Sequence, residues 1–173
     1  MSNFAKIALE ILPLLPSNTV ITLFTSRPSK LIIYCMRRSV DSPNSNPEET
    51  DKLRVLIVED NGLFRQALRN ALQLSFPGII VDESTNGAMV LQTIQASYPD
   101  LIFMDIRLPG ESGLVLTQKI KEAYPDIIVF VLSNYDIPEY RDAAFRYGAD
   151  HFIAKKSFNR MRLEELVRSF YRI

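Results

Sequence analysis

Thiols and imidazoles are almost absent from this chain: its 173 residues include one cysteine, Cys35, and one histidine, His151. A lone cysteine closes no internal disulfide, which suits a reducing compartment and leaves the thiol idle. A lone histidine has no fellow ligands for a metal, so His151 is expected as an exposed strand residue. Net charge is missing as well. Twenty basic and 20 acidic residues cancel, so no overall field draws the protein to nucleic acid or to an anionic membrane. Long apolar runs are also lacking. The stretches 7–15 and 20–24 are interrupted or bounded by Glu10, Pro13, Pro16, Arg27, Pro28 and Lys30, and neither approaches the roughly 20 residues that span a bilayer. Glu10 inside the first stretch, with no clear small-residue cleavage site after it, argues against a secretory signal. A cytoplasmic protein without a membrane span is the expectation.

What is present divides near residue 51. The segment Ser39-Val40-Asp41-Ser42-Pro43-Asn44-Ser45-Asn46-Pro47-Glu48-Glu49-Thr50 is polar and nearly free of large apolar residues, the composition of an unstructured linker. Residues 1–51 are therefore read as an N-terminal extension and flexible linker, poorly ordered. Two readings stay open for residues 1–38: a weak amphipathic docking segment, or translated sequence that the native protein lacks, with Met36 as its start. Residues 52–173 are long enough for one domain with a good core.

From Leu53 onward apolar strand-like runs at 55–58, 79–81, 101–104, 127–132 and 152–154 alternate with segments of helical period. Five such units point to an α/β fold, a parallel sheet covered by helices on both faces in three layers. In the first helix Phe64, Ala67, Leu68, Ala71 and Leu72 form a buried stripe, with Arg65, Arg69 and Asn70 opposite. Asn86 is placed to cap the second helix, and Ser112 or its neighbours start the third. Leu114, Leu116, Ile120 and Ala123 are the third helix's candidates for burial. Pro138 fits the first turn of the fourth and Gly148 marks its end. Leu163, Leu166, Val167 and Phe170 face the core from the fifth, leaving Arg160, Arg162, Arg168 and Arg172 as its wet side.

Parallel strands share one carboxyl edge, where open α/β sheets bind ligands. Glu59 and Asp60 follow the first strand, Asp105 the third, Ser133 the fourth and Lys155 the fifth. Alone, Asp105 before Pro109-Gly110 could be a turn or cap residue, and Glu59-Asp60 could cap the first helix. Together, three carboxylates repel one another and call for a cation. An oxygen-only donor set with room for water favours Mg²⁺ over Zn²⁺. A hydroxyl and an ammonium facing that ion suit a tetrahedral dianion, a phosphoryl group.

The runs Val55-Leu56-Ile57-Val58-Glu59-Asp60, Met104-Asp105-Ile106-Arg107-Leu108-Pro109-Gly110 with Gly113, Val131-Leu132-Ser133 and Gly148-Ala149-Asp150-His151-Phe152-Ile153-Ala154-Lys155 occur in that order. Residues 53–173 thereby resemble the receiver domain of bacterial two-component response regulators. Phe64-Arg65-Gln66-Ala67-Leu68 and Gly148-Ala149-Asp150 are similar to the branch whose receivers usually precede a LuxR-type helix-turn-helix, an output domain not found in this sequence. The resemblance implies a flavodoxin-like (βα)5 fold with strand order 2-1-3-4-5. It makes Asp105 the phosphoacceptor, taking a phosphoryl group from a phosphohistidine on a sensor histidine kinase or histidine phosphotransfer protein. It assigns Mg²⁺ to Glu59, Asp60, Asp105 and the backbone carbonyl of Arg107, phosphoryl contacts to Lys155 and Ser133, and switching to Ser133 and Phe152. The output would be the α4-β5-α5 surface, read by a downstream target or a fused domain or used for homodimerisation; Tyr140, Tyr147 and Tyr171 are either exposed contacts there or, at least as readily, ordinary half-buried aromatics. The protein would catalyse only its own phosphoryl transfer and dephosphorylation.

Four positions depart from the commoner pattern. Lys156 stands where many receivers carry proline, so the loop is expected to differ, and Phe152 lacks a tyrosine hydroxyl. Arg107 and Tyr135 are bulky where they predict slow hydrolysis. Two rival readings are a degenerate receiver serving as a phosphate-independent interaction or dimerisation module, and a phosphohydrolase forming an aspartyl phosphate. The intact Glu59, Asp60, Asp105, Ser133 and Lys155 speak against the first. Arg107, where such enzymes carry a second acid, speaks against the second.

Overall fold

The computed structural model describes residues 52–171, with the backbone of 20–22 and 34–36. The chain divides into two units, Met1–Glu49 and Thr50–Ile173. In the second, five parallel strands, β1 (Arg54–Val58), β2 (Ile80–Ser84), β3 (Leu101–Asp105), β4 (Ile128–Ser133) and β5 (His151–Ala154), lie in the order β2-β1-β3-β4-β5. The central strand β3 is buried along its whole length, as its unbroken apolar run requires.

Helices α1 (Gly62–Ser75), α2 (Val90–Ser97), α3 (Gly113–Ala123), α4 (Pro138–Arg146) and α5 (Arg160–Phe170) cover the sheet. Strand side chains alternate between its faces. Val55, Ile57, Phe103, Phe130 and Leu132 pack with Leu68 and Leu72 of α1 and Leu163 and Val167 of α5. Leu56, Val58, Ile102, Met104 and Val131 pack with Ile94 of α2, Leu116 and Ile120 of α3 and Ala144 of α4. Each such large side chain contributes about 1.5–3 kcal/mol on burial. The result is a doubly wound three-layer sandwich, with the strand order reversing between β1 and β3.

Polar residues start the helices where the sequence places them. Ser112 Oγ accepts from Leu114 N at 3.3 Å. Asn86 Oδ1 accepts from Met89 N at 3.3 Å, opening a 3-10 turn, Gly87–Met89, that feeds α2. Pro138 opens α4, and Gly148 takes φ +91°, the left-handed conformation that glycine adopts without steric cost.

Some expectations need correction. The cap of α1 is Asn61, whose Oδ1 accepts from Phe64 N at 3.1 Å, not the acidic pair before it. Ala67 and Ala123 are exposed, because each lies at the margin of its helix's apolar stripe, while Phe170, at the helix end, keeps 39% of its surface but meets the buried Phe130 edge-on at 5.0 Å, as expected. Strand β2 runs beyond the apolar 79–81 as far as Ser84, since pairing with β1 continues through Ile57↔Glu83 and Val58↔Ser84. His151 is half-buried, its ring edge-on to Phe130 at 5.6 Å, because β5 lies under α5 rather than in water. Tyr140, Tyr147 and Tyr171 are half-buried, in keeping with the second of their two readings.

In the first unit, strands Val20–Thr22 and Tyr34–Met36 pair antiparallel. The readings made for the remainder of 1–51, for the Cys35 thiol and for Arg172 lie outside the described residues.

Candidate functional site

The carboxyl ends of β1, β3 and β5 bring four charged residues together. β1 stops at Val58, so Glu59 and Asp60 leave its end; Asp105 is the last residue of β3, and Lys155 follows β5 as the first residue of a 3-10 turn, Lys155–Ser157. Glu59 is fully buried and Asp105 is 4% exposed. Lys155 Nζ lies 2.6 Å from Glu59 Oε2 and 3.0 Å from Asp105 Oδ2. Asp60 is exposed, yet one oxygen each of Glu59, Asp60 and Asp105 lie within 4.8 Å of one another. The edge is the reversal point of the strand order, where this architecture opens a crevice.

Burial pushes the Glu59 and Asp105 carboxyls above the ordinary carboxylate range. Lys155 opposes the shift on both. For Glu59 the neighbouring Asp105 raises it further; for Asp105 the Arg107 N–H lowers it and the Asp60 charge raises it. One ammonium thus serves two buried acids beside a third, leaving an excess of negative charge. The donors are all hard oxygens and one face is wet, so the residues fit a divalent cation that keeps part of its water shell, as Mg²⁺ does.

Lys155 is itself held. Its Nζ lies 5.1 Å over the Phe64 ring, which in turn meets Phe158 edge-on at 5.4 Å. This excludes the reading of Lys155-Lys156 as a solvated pair. Ser133 ends β4 and is buried, but its hydroxyl is not turned to the acids. It donates to the Tyr135 carbonyl and accepts from Tyr135 N, both at 3.0 Å. Arg107 is exposed and its guanidinium carbon lies 5.0 Å from the Tyr135 ring centroid; that ring stacks on Tyr140 at 6.0 Å. Phe152 is buried in the core on β5, with the Arg141 guanidinium 5.1 Å over its ring.

Sequence reading missed one set of groups. The helical period puts Arg65 on the wet side of α1, but its Nη1 donates to the Glu59 carbonyl at 2.8 Å and its Nε pairs with Glu83 Oε2 at 3.3 Å. Arg69 Nε meets Glu83 Oε1 at 2.8 Å. The 65/69 spacing marks a basic strip on one helix face; nothing local points to its partner on β2.

Residues 55–168 match the family model described as response regulator receiver domain. The chain is 34% identical over 113 residues to the transcriptional regulatory protein NarL of Mycobacterium tuberculosis, covering 65% of this chain and 52% of NarL. It is 34% identical over 105 residues to the two-component response regulator ORR41 of Oryza sativa, covering 60% of this chain and 83% of that protein. The solved structure of the signal receiver domain of the response regulator NarL from M. tuberculosis superposes with TM-score 0.62 at 28% identity, over 69% of this chain and 95% of that one. The chain spans about half the length of the first curated relatives it matches, 52% of NarL and 55% of the oxygen regulatory protein NreC of Staphylococcus carnosus. With the family model matching about two thirds of its residues, the chain belongs to the response regulator receiver domain family.

Proposed function

We propose that Asp105 accepts the phosphoryl group. One observation carries this reading: Lys155 Nζ lies between two buried carboxylates, 2.6 Å from Glu59 and 3.0 Å from Asp105, with Asp60 completing a cluster of oxygens. An Asp105 carboxylate oxygen forms the new P–O bond. The P–N bond to the donor histidine breaks, and the departing imidazole nitrogen takes up a proton. Glu59, Asp60, Asp105 and the Arg107 backbone carbonyl would hold Mg²⁺, which when bound neutralises phosphoryl oxygens. Lys155 stays close to Asp105 and follows the new charge. Ser133 exchanges its bonds with Tyr135 for one to a phosphoryl oxygen. Phe152 repacks with it and biases the α4-β5-α5 surface. Catalysis is positioning and charge neutralisation.

In this reading the receiver domain is 52–173, preceded by an extension and linker over 1–51. The donor is a sensor histidine kinase or a histidine phosphotransfer protein, met in the cytoplasm. Among the described residues no helix is long and apolar enough to cross a membrane. The output is a downstream protein, a fused domain, or a second copy docked through α4-β5-α5. The chemistry stops at the protein's own phosphorylation and dephosphorylation.

Incubation with acetyl phosphate or phosphoramidate and Mg²⁺, followed by intact mass, tests this. A stoichiometric adduct in the wild type that is lost in Asp105→Asn is expected. Multiple turnover of the donor would make the protein a phosphohydrolase, and no adduct would make it a degenerate receiver.

A further inference from the structure

Asp60 differs from the other two acids of the cluster. Glu59 and Asp105 are buried and meet Lys155, whereas Asp60 is exposed and its carboxylate makes no hydrogen bond or ion pair with the described residues. Its oxygen stands near theirs because the main chain of 59–61 puts it there.

That main chain is held from three sides. Glu59 N donates to the Ser84 carbonyl at 3.0 Å, and Asn61 N donates to Glu59 Oε1 at 3.1 Å. The third support is Arg65, whose Nη1 donates to the Glu59 carbonyl at 2.8 Å and more weakly to the Asp60 carbonyl at 3.4 Å. Its guanidinium is aimed by Glu83, at 3.3 Å from Nε, and Glu83 is braced by Arg69 at 2.8 Å. Arg65 and Glu83 keep only 19% and 23% of their side-chain surface, so the pair is partly shielded from solvent.

Resting on the functional reading above, we propose that Arg65, oriented by Glu83, is a positioning residue for divalent-cation binding: it clamps the turn that aims Asp60 at the site. A planar guanidinium spans two carbonyls and a carboxylate in one rigid fork, which an ammonium does not. Groups behind the ligands commonly control metal affinity by 10–100-fold.

The test is calorimetric titration of the full chain with MgCl₂, beside thermal unfolding in EDTA. Arg65→Met is expected to weaken Mg²⁺ binding about 10-fold at unchanged stoichiometry. Arg65→Lys should recover part of that loss, and Glu83→Gln should shift affinity in the same direction by less. Should Arg65→Met prove unable to fold, Glu83→Gln carries the test, because it leaves the arginine but removes what aims it. Wild-type Mg²⁺ affinity in Arg65→Met, whatever its Tm, would reduce the clamp to a stabilising contact and overturn the proposal. Tighter binding would do the same, showing that the guanidinium only repels the ion. A wild type that binds no Mg²⁺ at all would bring down the functional reading together with this one, so the two failures are told apart.

Discussion

Gly113 stands so close to the main chain of Asp105 that a Cβ at position 113 would lie 1.9 Å from the Asp105 carbonyl oxygen. The Gly113 N–H donates to the Ile106 carbonyl at 2.9 Å. The start of α3 thus sits directly against the strand end that presents the proposed phosphoacceptor. Only a residue without a side chain allows that approach.

Gly113→Ala should therefore destabilise the domain by about 3 kcal/mol, the upper part of the usual cost of overpacking. Alanine's better helix propensity, about 1 kcal/mol, offsets this only in part. Urea unfolding at constant m-value measures it. Wild-type stability in the variant would mean that the α3 start yields freely.

Lys155→Met strands two buried carboxylates, and breaking a buried pair by removing one partner costs about 3–5 kcal/mol. The cost should depend on pH. Glu59 and Asp105 already titrate above their ordinary range, so the folded state holds protons that the unfolded chain releases, and metal-free stability falls as pH rises through those values. Without the ammonium the acids rise further. The variant should lose more at pH 8 than at pH 5, because protonation of the stranded carboxyls relieves the cost as pH falls; denaturant titrations in EDTA with equal losses at both pH values would contradict this.

Burial, with the Arg162 and Arg141 charges, holds His151 below its ordinary value of 6.5. The folded state then binds fewer protons than the unfolded chain, so this group's contribution is present above about 6.5 and is lost as pH falls through the depressed folded value. His151→Gln should remove that loss. The stability difference between wild type and variant, followed from pH 7.5 to 5, should tilt against the wild type on acidification, and a flat difference would refute the assignment.

Arg107 lies over Tyr135, itself stacked on Tyr140, and this bulky pair is expected to act as a cover that shields an acyl phosphate on Asp105 from water. The cation–π contact is worth about 0.5–1 kcal/mol, a factor of about 2–5 in how often the cover opens. The acyl phosphate of Arg107→Ala/Tyr135→Ala should hydrolyse faster by about that factor. Decay of the mass adduct after removal of the donor gives the rate, and a lifetime no shorter than the wild type's would dispose of the shielding idea.

Residues whose role is set by their own neighbours in the chain were legible beforehand. The apolar run 101–104, Asn86 and Ser112 before their helices, Pro138 and Gly148 signal strand, cap, start and stop through local backbone physics. Because parallel strands share an edge, the convergence of Glu59, Asp60, Asp105 and Lys155 followed from strand periodicity as well. Arg65 and His151 were misplaced for one reason: each is fixed by a group distant in sequence, Arg65 by Glu83 and His151 by Phe130.

The amino-acid sequence by itself determined the element order, the two-faced sheet and which chemical groups reach its carboxyl edge, since those depend on side-chain period and on the short crossovers of a doubly wound fold. Tertiary structure alone decided that one ammonium bridges Glu59 and Asp105, that the Ser133 hydroxyl is engaged with Tyr135, and that Arg65 holds the acidic turn. Hydrogen bonds and ion pairs depend on separations of a few tenths of an ångström between atoms on different strands and helices. Only packing sets such separations, and no pattern along the chain encodes them.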